Sequence, residues 1–113
     1  MDTVAERQLE LRTENGSITV VASLGWPKRV ADEEWICACV TTFADEVQSM
    51  DIHGGDSMQA LQLAMVTLDV QLKTEATSRG GALFHFEEPF NSILENSRMQ
   101  PRPASTFPDQ DAT

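Results

Sequence analysis

Basic residues are scarce in this chain: eight Lys and Arg stand against eighteen Asp and Glu, a formal net charge of −10 over 113 residues. A surface of that sign repels phosphate backbones, so nucleic-acid binding is not expected. No run of like charge is long enough to form a dedicated acidic or basic tail. Long hydrophobic runs are missing too. Residues 1–20 lack the basic start and continuous apolar stretch of a secretion signal, and no segment reaches transmembrane length, so no membrane association is expected and a cytoplasmic protein is.

Cysteine is also sparse. Cys37 and Cys39 are the only two, and they sit two apart in an extended stretch, where a bridge between them would be strained. Reduced thiols are the expectation, in keeping with a cytoplasmic setting. Together with His53 and His85 they could supply four metal ligands, but Cys-x-Cys with two remote histidines matches no zinc spacing. The thiols read instead as small core hydrophobes beside Trp35, and neither a metal nor a cofactor is expected.

What remains is the composition of an ordinary globular protein with one hydrophobic core. Residues 5–12 alternate, and the Asn15-Gly16 pair that follows is a tight-hairpin signal. A second strand starting at Ser17 lines Ile18, Val20, Ala22 and Leu24 on one face, until Gly25-Trp26-Pro27 breaks the pattern and a polar loop runs to Glu34. Trp35 to Phe43 is apolar on both faces, which predicts a central strand covered twice. A fourth strand of weaker alternation spans Val47 to His53.

Asp56 with Gln59 fits a capping box, and Met58, Leu61, Met65, Leu68 and Leu72 fall on one helical stripe, predicting a helix over 57–77 that Gly80-Gly81 stops. A fifth strand over 82–87 carries Phe84 and Phe86 on one face. The expected fold is therefore α+β, ββββαβ: an antiparallel, curved sheet of four to five strands with one long helix packed across one face. Residues 1–88 form the domain. A segment over 89–100 has the apolar residues to pack back as a short helix, and the proline-rich residues 101–113 read as a flexible tail.

The helix has a second apolar row, Leu63, Val66 and Val70, centred nearly opposite the first. A helix lying on a sheet needs only one such row. Either Phe90, Ile93 and Leu94 fold back over it, or a second copy of the chain covers it, or the row is simply exposed.

Weaker signals surround the start of the helix. In His53-Gly54-Gly55-Asp56-Ser57, a glycine pair leading into a helix can offer N–H groups to an anion, with His53 as base and Ser57 as nucleophile. Asp56 would place a negative charge at the same spot, and helix capping accounts for these residues without chemistry. Asp51 and His53 share a strand face, as a solvated polar pair would. Trp26 serves either as a binding anchor or as a cap over the core.

The order of Gly25-Trp26-Pro27, Glu34-Trp35-Ile36-Cys37 and Ile52-His53-Gly54-Gly55-Asp56-Ser57-Met58-Gln59-Ala60-Leu61 resembles a family of short bacterial proteins of unknown function. Its members carry a Trp-x-Cys strand and a Gly-x-Asp-(Ser/Ala)-x-Gln-Ala-Leu helix start, and the resemblance covers roughly residues 7–75. It implies a curved antiparallel sheet crossed by one helix and brings no activity, substrate or catalytic residue.

The functional expectation is a non-enzymatic protein-interaction module, a homodimer joined through Leu63, Val66 and Val70 or through the exposed side of the sheet. Two alternatives stay open. One is an acidic immunity- or inhibitor-type protein that binds a basic partner. The other is a small-ligand-binding or hydrolytic enzyme using His53 and Ser57, with Gly54 and Gly55 shaping its pocket.

Overall fold

The eleven-residue strand β1 (Thr3–Thr13) pairs antiparallel with β2 (Gly16–Gly25) around a two-residue turn, Glu14-Asn15. The Thr13 hydroxyl accepts from the Asn15 N–H and donates to the Gly16 carbonyl, tying the turn together. The computed structural model of the chain describes residues 2–94. The expected tail at 101–113 lies outside the described residues, as do residues 95–100 of the segment expected to pack back.

The polar loop expected after Pro27 is a correction: it contains β3 (Lys28–Ala31), paired with the start of β4 (Glu34–Phe43). Leu24 pairs with Cys39 and Lys28 with Ile36, so four residues on one side pass three on the other. That is one extra residue, as in a β-bulge. Gly25-Trp26-Pro27 therefore bends one long path beside β4 instead of ending it, because Pro27 cannot donate to the ladder while residues beyond it can.

β4 is central as expected, flanked by β2 and β3 on one side and by β5 (Glu46–Gly54) on the other. It is covered once, not twice. Cys37, Cys39, Thr41 and Phe43 are buried, whereas Ile36, Ala38, Val40 and Thr42 on the opposite face are only half-buried.

Among the described residues the sheet has seven strands, more than the four to five expected, in the order β5, β4, β2, β1, β6, β7, with β3 prolonging the place of β2. β6 (Ala82–His85) pairs with β1, at Glu10↔Phe84 and Arg12↔Ala82, which resolves the neighbour of that strand. It is shorter than expected. The chain reverses at Phe86-Glu87 and returns as β7 (Glu88–Pro89), so Phe84 and Phe86 do not share a strand face.

α1 (Ser57–Ser78) lies on one side of this open antiparallel sheet and packs against β4 and β5. Its buried face is Ala60, Ala64, Leu68, Leu72 and Ala76, which corrects the stripe read from the large residues alone. Met58 is 63% exposed, and Leu61 and Met65 pack at the margin. Alanines at the centre of the contact let the helix approach the strands closely, and the leucines then reach Leu9, Leu11, Val20, Cys39 and Phe43 in one cluster. Each fully buried leucine contributes about 1.5–3 kcal/mol before ordering entropy is subtracted.

Arg79 caps the helix, and Gly80 follows in the left-handed conformation at φ +69°, where glycine carries no steric penalty. Beyond β7, the Phe90 N–H donates to the Leu83 carbonyl, and Phe90 and Ile93 pack on the core. The chain thus returns along the flank of α1 at Asp69. Leu63, Val66 and Val70, on the outer side of the helix, stay about half exposed, so Phe90 and Ile93 do not cover that row.

Candidate functional site

The turn from β5 into α1 places the sequence-predicted ligand candidates together, and each has a structural task. Asp56 is extended, and its Oδ1 accepts from the Gln59 N–H at 2.7 Å, while Gln59 Oε1 accepts from the Gly55 N–H at 2.5 Å. This reciprocal pair is a variant of the capping box that reaches back to the residue before the cap, and it satisfies two of the N–H groups at the turn. Gly54 lies so close to the helix that a Cβ there would meet the backbone N of Ala60 and stand 2.8 Å from its Cα. The glycine thus serves close packing between strand and helix. His53 turns away to Glu34, Nδ1 to Oε2 at 3.1 Å, and no hydrogen bond joins it to Ser57.

Cys37 and Cys39 are buried free thiols, and burial pushes both pKa values up. Cys37 Sγ lies 3.3 Å from the Gly25 carbonyl oxygen. Among the described residues no group of three or more His, Cys, Asp or Glu could hold a metal ion. The two histidines and two cysteines are therefore not assembled.

Two surfaces stand out once these residues are placed. The first is the outward row of α1, where Leu63, Val66 and Val70 are 42%, 48% and 57% exposed. It adjoins β5. Gln48 of β5 bonds both Gln71 and Glu75 of α1, and Arg79 pairs with Glu46 and with Glu75, so the helix is bound along the strand at the sheet edge.

The second surface escaped sequence reasoning. An open groove of about 710 Å³ runs between β1 and the β6–β7 hairpin, lined by Glu6, Arg7, Glu10, Phe84, His85 and Phe86 among others. Arg12 organises its rim, with Glu10 at 2.6 Å, Glu87 at 2.7 Å and its guanidinium 4.0 Å above the Phe84 ring. Arg12 in turn holds the Glu10 carboxyl below its ordinary range. The hairpin tip has Phe86 and Glu87 both at positive φ, a conformation usually left to Asn and Gly. No composition signal marked the turn, because neither residue type announces it.

No helix among the described residues is long and apolar enough to cross a membrane. A family model described as a domain of unknown function, DUF6968, matches residues 5–93. No curated protein and no solved structure matches the chain.

Proposed function

This chain belongs to the DUF6968 family, a domain of unknown function, and on that premise we propose that it is a non-enzymatic protein-interaction module that works as a homodimer. The observation that carries the reading is the half-exposed row of Leu63, Val66 and Val70 on a helix whose other face already fills the core. Apolar rows of this kind on small acidic proteins mark association surfaces. Removing a valine or leucine side chain from water contributes about 1.5–3 kcal/mol at most, so one leucine and two valines in each copy are enough to bias an equilibrium.

The capping box supports the same reading from the other side. It gives Gly54, Gly55 and Asp56 a complete structural purpose, so the glycine turn needs no bound anion to explain it. A bacterial, cytoplasmic setting accords with the family resemblance and with two buried, unpaired thiols.

Light scattering over a tenfold dilution tests the proposal. A dimer mass that falls towards the monomer in Val70→Glu, with the fold retained by circular dichroism, is the expected result. A strict monomer at every concentration would remove the reading.

A further inference from the structure

Among the described residues β5 is paired on one side only. Its ladder with β4 runs from Trp35↔Gly54 to Phe43↔Glu46 without a bulge, so nine residues, Glu-Val-Gln-Ser-Met-Asp-Ile-His-Gly, present an open edge. Sheets usually blunt such an edge with proline, charged side chains, lysine above all, or a bulge. This one has no proline, lysine or bulge, its charges are Glu46 and Asp51, and Val47 and Met50 are 62% and 40% exposed along it.

α1 runs antiparallel above that edge. Gly54 abuts Ala60 at one end, Gln48 meets Gln71 and Glu75 further along, and Glu46 pairs with Arg79 at the other end. Because α1 packs on β4 and β5 together, its axis lies above the line between them. With strands about 4.8 Å apart, that axis is about 5 Å to one side of the seam a further strand would create. Two copies related by a two-fold axis through the seam would hold their helix axes about 10 Å apart, within reach of the 8–10 Å of packed helices.

We propose that a second copy of this chain adds antiparallel to β5 with Met50 on the two-fold axis, giving one continuous sheet with the two α1 helices side by side on the same face. The inference rests on the homodimer reading above and specifies its surface and register. Centring on Met50 pairs all nine residues: Glu46 with Gly54, Val47 with His53, Gln48 with Ile52, Ser49 with Asp51, and Met50 with its own copy. No like charges stand directly opposite. Alternation of faces allows shifts only in steps that keep each side chain on its side of the sheet. Centring on Asp51 sets two carboxylates against each other, and centring on Ser49 leaves His53 and Gly54 outside the pairing.

The helices fit the same seam. At about 100° per residue, Leu63, Thr67, Val70 and Thr74 lie within about 100° of Gln71 on its outward side, so they face the second helix. Val66 lies about 140° away and leans from the seam. The Thr67 hydroxyl already donates to the Leu63 carbonyl at 2.8 Å, so burying it leaves no unpaired donor. One contact opposes the pairing: the two Asp51 carboxylates become diagonal neighbours, about 7–8 Å apart. Salt and Asp51→Asn should therefore both tighten the dimer.

Sedimentation equilibrium and air oxidation of the full chain test the proposal. In Asp51→Asn the dissociation constant should fall about two- to fivefold, the range a cross-strand pair supports. Val70→Glu should dissociate the dimer, and Val66→Glu should leave it intact. The double variant Ser49→Cys with Asp51→Cys should form covalent dimers whose link maps to residues 49 and 51. A dimer sensitive to Val70→Glu, without this link and indifferent to Asp51→Asn, would overturn the seam and leave the helix-row reading standing. A monomer at every concentration would overturn both.

Discussion

The backbone N–H of Ile93 donates to the Asp69 carboxylate at 2.8 Å, joining the chain beyond β7 to the flank of α1. Asp69 is 8% exposed, and Lys73 reaches its other oxygen at 2.9 Å. Burial by itself pushes this carboxyl up. The bonds from Lys73, the Ile93 amide and Ser92 outweigh burial and hold its pKa below the ordinary range. A carboxylate depressed in the folded state stabilises above its unfolded pKa of about 3.9 and loses that contribution as pH falls through the folded value. Asp69→Asn should cost about 1–3 kcal/mol near neutral pH, and the difference from wild type should shrink below about pH 4. Urea melts at the two pH values measure it. An equal cost at both would show that the charge is irrelevant.

Gly54→Ala should destabilise the fold by about 1–3 kcal/mol, the usual cost of forcing a methyl group into packed backbone. Gly55→Ala is the matched control. Its added Cβ meets the end of the Gln59 side chain at 3.3 Å, which can give way, so its midpoint in a denaturant melt should move far less. Equal losses would mean that the strand does not approach the helix as described.

Thr41 is 2% exposed, and its hydroxyl has no hydrogen-bond partner among the described residues. It sits beside a cavity of about 70 Å³ bordered by Gln48, Met50 and Gln71. Replacing a buried, unpaired hydroxyl with a methyl group removes a desolvation penalty of about 1–3 kcal/mol. Thr41→Val should therefore match or exceed the wild-type melting temperature. A clear loss would indicate that an ordered water satisfies the hydroxyl in the cavity.

Cys37 and Cys39 should resist thiol reagents in the native protein. Burial raises both thiol pKa values, with each additionally shielded by the helix packed above it, and the thiolate is the reactive species. Titration with a chromogenic disulfide near pH 8 should be slow until denaturant is added. Fast labelling under native conditions would contradict the packing of α1 over β4.

Much of the fold was legible along the chain. The alternation of Ile18, Val20, Ala22 and Leu24, the apolar run Trp35–Phe43, the Asp56–Gln59 cap and the Gly80-Gly81 stop are local signals, and each marks an element of the structure. β3 was missed because Trp26-Pro27 imitates a loop, and only pairing with β4 reveals that the strand resumes. The helix stripe was misplaced because large residues were counted as the core face. Gly54 and the alanines set the approach distance, and proximity to a strand leaves no trace in hydropathy.

The cap residues Gly54, Gly55 and Asp56 were recognisable as a helix start from spacing alone, so their structural role was visible beforehand. The groove by Phe86 was not, since a reversal at Phe86-Glu87 depends on where β1 stops pairing with β6.

The sequence by itself determined the acidic charge, the α+β class, the capped helix over 57–77 and the presence of two apolar rows on it, because periodicity and capping are set within a few residues. Tertiary structure alone decided that β6 joins β1, that β5 is left at the edge and that α1 lies along it. Strand neighbours are chosen by contacts between segments far apart in the chain, and the same local pattern satisfies several such arrangements until the packed core selects one.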